Sequence, residues 1–216
     1  LGGAVHIVPP MAIEAAYLAK EAGTFKAGLN IPLFVTGRIN QPQEAELILA
    51  RGQADVCGMT RALICDPQMP NKTDTGHVED VRACIACNQA CIGHFHKGLP
   101  ISCIQHPETG RELIFGQRQP AGQRKRIMIA GGGPAGMKAA AVAAQRGHEV
   151  TLYEAAAQLG GQVLLAQLLP RRSEFGGAST NLQREMELAG VRVVRNTRVD
   201  RALVERERPD LVIIAT

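Results

Sequence analysis

The chain has 216 residues, of which 45% are hydrophobic, and its formal net charge is +4. This length allows one or two domains with real cores. No apolar run approaches the ~18–20 residues that a membrane helix needs, so we expect no membrane contact. Basic residues concentrate only at Arg118 and 124–126, without interleaved aromatic side chains, which indicates a solvated linker rather than a nucleic-acid site.

The ends of the chain and its cysteines indicate the cellular compartment of the protein and whether the chain is a piece of a longer one. The first residues, LGGAVHIVPP, lack the charged start and apolar stretch of a secretory signal. Six cysteines without an export signal favour a reducing, cytoplasmic compartment, where clustered cysteines more often bind metal than form disulfides. Because the chain lacks an initiator methionine and ends on an apolar strand pattern, DLVIIAT, we expect it to be an internal piece of a longer protein.

The first part of the chain has an α/β pattern. Helical spacing predicts a helix over 12–22, and an apolar run predicts a strand over 31–36. A second helix is expected over 42–51 and a second buried strand over 54–59, before a loop and a short helical stretch over 62–80. Strand, helix and strand in about 28 residues form a βαβ unit, which predicts parallel pairing.

Each of the two predicted strands is followed by a segment that could bind a phosphate group. Thr36-Gly37-Arg38 follows the first strand and Met59-Thr60-Arg61 follows the second. In a (β/α)8 barrel successive strands end on one face, and the loops after strands seven and eight often bind phosphate. Gly37 would let a backbone N–H approach, and Arg38 and Arg61 would add charge and bidentate donors. The alternative is a pair of surface arginines after buried strands.

Four cysteines follow in a segment with little expected regular structure, rich in Cys, His, Gly and Pro. Their spacing is C-x2-C-x3-C-x11-C, and they are Cys84, Cys87, Cys91 and Cys103. Three bunched thiolates and one brought back later can each hold a corner of a 4Fe-4S cluster. Structural zinc usually takes two C-x2-C pairs separated by a longer loop, so the spacing favours the cluster and leaves zinc as the alternative.

The remaining cysteines and nearby histidines are not assigned as ligands. Cys57 lies in an apolar strand and is interpreted as a small core residue, whereas Cys65 receives no role. His94, His96 and His106 are expected to be polar residues close to the cluster.

A second α/β region begins after a polar linker. RIMIA predicts a strand over 126–130, GGGPAG a turn over 131–136, and the residues that follow predict a helix over 137–146. The next strand, 149–153, ends at an acid, which completes the context of a dinucleotide fingerprint. Further elements are expected as a helix over 180–189 and strands over 191–195 and 210–216.

The residues of this fingerprint have distinct expected roles. Gly131 permits the tight turn, Gly133 lets the backbone approach a pyrophosphate, and Gly136 allows close packing of helix and strand. The helix N-terminus favours phosphate through free N–H groups and its dipole, and Glu154 would accept from ribose hydroxyls. The expected cofactor-binding set is completed by Pro134, Ala135, Gly161 and Gln162, the last two lying where an FAD pyrophosphate is expected.

These motifs, in this order, resemble the iron–sulfur flavoproteins related to old yellow enzyme, the NADH:flavin oxidoreductases that include trimethylamine dehydrogenase and bacterial 2,4-dienoyl-CoA reductase. The resemblance covers essentially the whole chain. It implies the C-terminal end of an FMN-binding (β/α)8 barrel over 1–80, a 4Fe-4S segment and linker over 81–120, and the start of a Rossmann-like FAD or dinucleotide domain over 121–216.

The resemblance also implies roles for particular residues. Gly37, Arg38, Thr60 and Arg61 match the family's FMN phosphate positions, and the four cysteines match its cluster ligands. The fingerprint matches its FAD or ADP site. The catalytic acid and the substrate pocket are expected on earlier barrel strands. An NAD(P)H domain would be inserted after Ala215–Thr216, so the use of NAD(P)H stays open.

The implied function is a flavin-dependent oxidoreductase. Electrons would pass between a small-molecule substrate, FMN, the cluster and either the second nucleotide or an external acceptor, such as NAD(P)H or an electron-transfer flavoprotein. The segment HPETGRE resembles that of demethylase-type members of the family, and this resemblance favours oxidative N-demethylation of a small methylated amine. The cysteine spacing is compatible with NAD(P)H-dependent reduction of an activated C=C bond.

A different class of protein stays open beside these enzymes, namely a non-catalytic, zinc-stapled nucleotide-binding or electron-transfer subunit. An oligomer is compatible with every reading. We expect this piece alone to be inactive, because most of the substrate-binding barrel is missing from it.

Overall fold

The structure is a computed structural model that describes residues 4–216, which divide into two compact units. The first unit ends at Ile114 and the second spans Phe115–Thr216. The helices of the first unit are α1 (Ala4–Ile7), α2 (Ala19–Lys26), α3 (Pro42–Ala50), α4 (Thr60–Cys65), α5 (Met69–Asp74), a 3-10 turn (Val78–Asp80), α6 (Ile92–Phe95) and α7 (Glu112–Phe115), the last crossing the division. Its strands are β1 (Phe34–Thr36) and β2 (Val56–Gly58).

Strands β1 and β2 pair in parallel, with Phe34 opposite Val56 and Thr36 opposite Gly58. The connecting helix α3 starts at Pro42, whose fixed φ suits a first helical position. Its start is closed by a capping box between Gln41 and Glu44. The predicted βαβ unit is confirmed, and its apolar core comprises Ala19, Val35, Ile39, Ile48 and Ala54.

The helix predicted over 12–22 is wrong at its start. Ala16 takes a left-handed φ of 52°, which interrupts a right-handed helix, and its N–H donates to Arg38 O over 3.1 Å. Residues 12–18 therefore form turns against the loop after β1, and the helix begins at Ala19. The strands are also shorter than predicted, and Val56 is 40% exposed rather than buried.

The second unit is a Rossmann-like half-domain. Its parallel sheet has the strand order β5-β4-β3-β6, which is the 3-2-1-4 order of dinucleotide-binding folds. Its elements are β3 (Arg126–Ala130), α8 (Pro134–Gln145), β4 (Glu149–Tyr153), α9 (Val163–Ala166), α10 (Phe175–Leu188), β5 (Arg192–Val194), α11 (Arg201–Glu207) and β6 (Leu211–Ile214).

The core of this unit lies between the sheet and the helices α8 and α10. Ile129, Leu152 and Met137 are fully buried there, and Met186 is 1% exposed. The apolar runs of β3 and β4 correspond to strands covered on both faces, because Met128 and Tyr153 pack in a second cluster on the other face.

Two features of the second unit differ from the sequence-based expectation. Helices α8 and α10 begin earlier than predicted, and α11 was not predicted at all. The sequence of α11, RALVERE, is mostly charged, but the Asp200 carboxylate accepts a hydrogen bond from Leu203 N over 2.8 Å and caps it. Leu203 is the one buried side chain that ties α11 to Met128 and Tyr153. Within the described residues, no helix has the length and apolar character needed to cross a membrane.

Candidate functional site

A cavity of about 340 Å³ opens where β1 and β2 end. Both strands of a parallel pair present their carboxyl ends to the same edge, which brings the two polar segments together. The lining includes all four residues predicted to contact FMN phosphate, namely Gly37, Arg38, Thr60 and Arg61. The structure brings these four residues together at one cavity, and their binding of phosphate stays a prediction.

The two arginines of this phosphate-end cavity are not surface side chains. Arg38 is 6% exposed, has a φ of 55°, and donates through Nη1 to Ile13 O. Arg61 is half-buried and donates through Nη1 to Pro9 O over 2.8 Å and to Asn88 Oδ1 over 2.6 Å. Both guanidinium groups are therefore held in fixed orientations by acceptors elsewhere in the first unit.

Gly37 is required by close packing as well as by backbone conformation. Its φ is 145°, and a Cβ at this position would lie 3.0 Å from Tyr17 Cε1. Thr60, by contrast, is exposed; it is the first residue of α4 and belongs to the lining of the cavity.

The four clustered cysteines line a second cavity in the same unit, the cysteine cavity. Arg61, Ile64, Asn88 and Gln105 complete much of its wall. The loop that carries the first three cysteines bends through left-handed residues, Ala86 with φ 47° and Asn88 with φ 56°. These bends turn a short segment back on itself, so that its thiols face one space together with the later cysteine. The lining cysteines are Cys84, Cys87, Cys91 and Cys103.

The protonation of these thiols is shaped by burial and by neighbouring donors. Burial raises the pKa of Cys84 to about 11, although the Ala86 N–H and the Arg61 charge oppose it. Burial also raises the pKa of Cys87. The pKa of Cys103 is lowered to about 6, chiefly because the Cys65 thiol hydrogen-bonds to it, and burial acts in the opposite direction. A bound metal would favour the thiolate at all these positions, since ligation requires deprotonated sulfur.

The phosphate-end cavity and the cysteine cavity share part of their lining. Arg61, Ile64 and Cys91 belong to both. The link is fixed by Asn88, whose Oδ1 accepts from Arg61 and whose Nδ2 donates to Val8 O over 2.9 Å. Sequence reasoning missed Asn88; the available signal was an asparagine between cysteines, a residue type that tolerates positive φ.

The residues left without a ligand role also have definite positions. Cys57 packs against the first core, as predicted. Cys65 is 1% exposed and accepts from Gln105 Nε2 over 3.3 Å. His106 is hydrogen-bonded at Nδ1 to Ile64 O over 3.1 Å, and its backbone N–H contributes to the lowered pKa of Cys103. His94 bonds Pro100 O over 3.0 Å, and His96 is exposed, with its ring in an edge-to-face arrangement with the ring of Phe95.

The second unit carries a cavity of about 850 Å³ at the carboxyl ends of its strands, the nucleotide cavity. This size lies within the range of cofactor sites. Of the predicted cofactor residues in this unit, the lining includes Gly131, Gly133, Pro134, Ala135, Glu154, Gly161 and Gln162.

The glycines of the fingerprint meet different steric demands. A Cβ on Gly136 would lie 2.0 Å from Gly131 O, and one on Gly131 would lie 2.4 Å from Ala215 O. Gly133 has no protein atom within 4 Å of such a Cβ, so the space beside it is open cavity. Two of these glycines are therefore needed by the fold itself, whereas the third leaves room for a ligand.

Glu154 has a structural role that sequence reasoning missed. Its Oε2 accepts from Gly132 N and its Oε1 from Ala156 N, both over 2.7 Å. The carboxylate therefore holds the glycine turn, and each oxygen retains a lone pair for a ribose hydroxyl. The cavity wall also contains Thr197, Arg198, Asp200 and Arg201, which were not predicted because they follow a short strand and begin a charged helix.

Two family models match the chain. Residues 7–80 match the NADH:flavin oxidoreductase / NADH oxidase family, and residues 129–192 match a NAD(P)-binding Rossmann-like domain. The fold and its cavities define a two-part α/β protein with a parallel βαβ unit and a Rossmann-like domain. Within that class, the chain belongs to the NADH:flavin oxidoreductase / NADH oxidase family.

Individual relatives match nearly the whole of this chain. An NADH oxidase of Thermoanaerobacter brockii is 39% identical over 93% of this chain and 30% of that protein. An N,N-dimethylglycine/sarcosine dehydrogenase of Chromohalobacter salexigens is 37% identical over 98% of this chain and 31% of that protein. A solved 2-naphthoyl-CoA reductase in complex with 2-naphthoyl-CoA has a TM-score of 0.90 and 31% identity, covering 96% of this chain and 32% of that chain. The chain thus spans about a third of the length of these relatives.

Proposed function

We propose that this chain is part of an oxidoreductase that holds FMN at the phosphate-end cavity, a 4Fe-4S cluster at the cysteine cavity and FAD or ADP at the nucleotide cavity. The observation that carries the proposal is the shared wall of the first two cavities. Arg61, Ile64 and Cys91 line both, so a flavin phosphate and a cluster would bind on opposite sides of the same residues.

The spacing of the sulfurs supports a polynuclear cluster over a single zinc ion. Ligands of one tetrahedral zinc at about 2.3 Å lie about 3.8 Å from each other. Within residues 4–216, no three cysteine sulfurs lie within 4.8 Å of one another, although all four cysteines line one cavity. This wider arrangement agrees with thiolates that each bind a different corner of a larger group.

When bound, the flavins would supply two-electron and the cluster one-electron chemistry. The residues of this chain position those groups and exclude water. Arg38 and Arg61 present fixed positive charge at the phosphate end, while Ile64 and buried Ile85 keep the wall of the cysteine cavity apolar. Backbone N–H groups that donate to sulfur, such as Ala86 N to Cys84 Sγ over 3.4 Å, stabilise thiolates in this apolar setting.

For the substrate we propose a small N-methylated amine that is oxidatively demethylated in a reducing, cytoplasmic compartment. The similarity to N,N-dimethylglycine/sarcosine dehydrogenase over 98% of the chain supports this choice, together with the segment HPETGRE. The electron acceptor would be an electron-transfer flavoprotein or a nicotinamide.

A second candidate is reduction of an activated C=C bond with NAD(P)H. The similarity to 2-naphthoyl-CoA reductase favours it, as does the three-residue gap between Cys87 and Cys91. Both candidates use the same three cofactors, so the residues of this chain do not separate them.

The test uses the full-length protein, purified without oxygen. We expect four irons and four sulfides per chain, an EPR signal of a reduced cubane, and FMN released on denaturation. Dimethylglycine or sarcosine should reduce the flavin; an enoyl thioester with NADH should be the better substrate pair if the second candidate is correct. Zinc without iron would instead support the non-catalytic subunit and would overturn the proposal.

A further inference from the structure

Asn40 is a buried polar residue in the loop between β1 and α3, and the sequence analysis gave it no role. It lines the phosphate-end cavity together with Arg38 and Arg61. Ile39, which is 2% exposed, anchors this loop in the first core between Arg38 and Asn40. The loop therefore brings Asn40 to the cavity on a backbone that is fixed by packing.

The usual structural task of an asparagine before a helix is not performed by Asn40. Asparagine side chains often cap a helix by accepting from an N–H of its first turn. Here Gln41 is the capping residue, and Glu44 Oε2 accepts from the backbone N–H of Asn40 over 2.6 Å and from that of Gln41 over 3.2 Å. The Asn40 backbone is thus held by Glu44, and the Asn40 side chain takes no part in starting α3.

The side-chain amide of Asn40 has no protein partner among residues 4–216. The residue is 5% exposed, yet its amide takes part in no hydrogen bond there. The amide oxygen and nitrogen both keep some contact with solvent, so the amide opens on the cavity that the residue lines. Because buried polar groups in native proteins nearly always have a partner, this amide is placed to bond a group that enters the cavity.

The surroundings of the amide favour an anion as that group. The described wall of the cavity contains the guanidinium groups of Arg38 and Arg61 and no Asp or Glu side chain. An asparagine Nδ2 carries two N–H donors. A hydrogen bond from such a donor to an ionised acceptor is roughly twice as strong as one to a neutral acceptor. A phosphate group beside the two arginines would therefore be a strong partner for Asn40.

We infer that Asn40 is a further residue of the FMN site and that its Nδ2–H donates to a phosphate oxygen of FMN. This inference rests on the proposed function, because it requires the FMN phosphate to lie in this cavity. The phosphate would then meet a neutral donor from the loop after β1 in addition to two charged side chains. Riboflavin lacks the phosphate, so the Asn40 amide should favour FMN over riboflavin.

The experiment measures the binding of FMN and of riboflavin to the flavin-free full-length protein by flavin fluorescence. Asn40→Asp replaces the amide by a carboxylate of nearly the same shape that repels phosphate, and Asn40→Leu removes the donor at similar volume. We expect each change to weaken FMN binding at least about tenfold and to leave riboflavin binding unchanged. Asn30→Asp is the control, since Asn30 is exposed and does not line the cavity; it should leave both affinities unchanged.

The stability of the flavin-free protein separates a ligand-binding role from a structural one. Asn40→Leu removes a buried amide that has no protein partner, so its melting temperature without flavin should equal or exceed that of the wild type. A lower melting temperature would show that the amide stabilises the fold, and would overturn the inference. Unchanged FMN affinity in both variants, or equal losses of FMN and riboflavin affinity, would overturn it as well. A wild-type protein that binds no FMN would instead refute the proposed function.

Discussion

At the scale of single residues, Arg61 has contacts in two directions that its position after a strand does not reveal. It lines the phosphate-end cavity and at the same time donates to Asn88 in the cysteine loop. We expect Arg61→Ala to weaken flavin retention about 10- to 100-fold, because a hydrogen bond from a charged group contributes about 1.5–3 kcal/mol. Arg61→Ala should also lower the iron content, whereas the loss of a residue that bound only the phosphate would leave the iron content unchanged. Flavin and iron per chain, measured in the full-length protein after gel filtration, check both effects.

The matched control for Arg61 is Arg51→Ala. Arg51 is exposed, lies just beyond the end of α3 and lines neither cavity. Its substitution by alanine therefore removes the same charge as Arg61→Ala does. Full flavin and iron content in Arg61→Ala would show that the shared wall has no role in binding.

Asp66 is a buried charged residue that stabilises the chain segment just before the clustered cysteines. It is 2% exposed and accepts from Lys72 Nζ over 2.6 Å, from Arg82 N over 2.8 Å and from Gln68 N over 3.1 Å. Burial alone would raise the pKa of Asp66, but the hydrogen bonds from Lys72 and Arg82 outweigh it, so the pKa lies below its ordinary value. The folded state therefore favours the carboxylate.

A pH dependence of stability follows from the lowered pKa of Asp66. A carboxyl group whose pKa is lower in the folded state than in the unfolded state stabilises the fold at any pH above its unfolded pKa. This contribution is lost as the pH falls through the folded pKa. We expect Asp66→Asn to cost about 1–3 kcal/mol of unfolding free energy at neutral pH and progressively less below about pH 4. Thermal melting across pH, with exposed Asp74→Asn as the control, measures this; a cost independent of pH would contradict it.

At the scale of elements, the βαβ unit and the Rossmann-like strand order were predictable from apolar runs and glycine-rich turns. The predicted strand ends also indicated residues that line the phosphate-end cavity and the nucleotide cavity, because parallel strands end at one edge of a sheet. The start of α2 was not predictable, because the left-handed Ala16 depends on a hydrogen bond to Arg38, 22 residues later. Helix α11 was missed because a single buried residue, Leu203, holds it to the sheet.

The glycine turn before α8 allows fold and ligand binding to be separated. A Cβ on Gly136 would overlap Gly131 O, so Gly136→Ala should displace α8 and destabilise the second unit by about 3 kcal/mol. A Cβ on Gly133 meets only open cavity, so Gly133→Ala should melt like the wild type but bind ADP at least about tenfold more weakly, since the phosphate loses its close approach. Melting temperature and ADP calorimetry test the pair. Normal ADP binding by Gly133→Ala would place the phosphates elsewhere.

At the scale of the whole molecule, local spacing predicted which cysteines meet but not what surrounds them. The four cysteines follow from their spacing within 20 residues of sequence, whereas Asn88, Gln105 and Cys65 are held by hydrogen bonds to partners in other segments. Such long-range contacts leave no periodic signal. The substrate pocket stays outside prediction for another reason, since the chain spans only 30–31% of its enzyme relatives.

The two units also differ in what stabilises them, which leads to a prediction for metal and ligand removal. Apart from the short helix α6, residues 81–111 lack helices and strands, so the first unit should depend on metal ligation there. The second unit has its own buried core around Ile129 and Leu152. We expect removal of iron from the reconstituted chain to lower the melting transition of the first unit. ADP at 100 times its Kd should stabilise the second unit by about 2.7 kcal/mol. Calorimetry of the holo and apo chain with and without ADP resolves the two effects, and Gly133→Ala serves as the ADP control. A chain that melts identically with and without iron would contradict the dependence of the first unit on its cysteines.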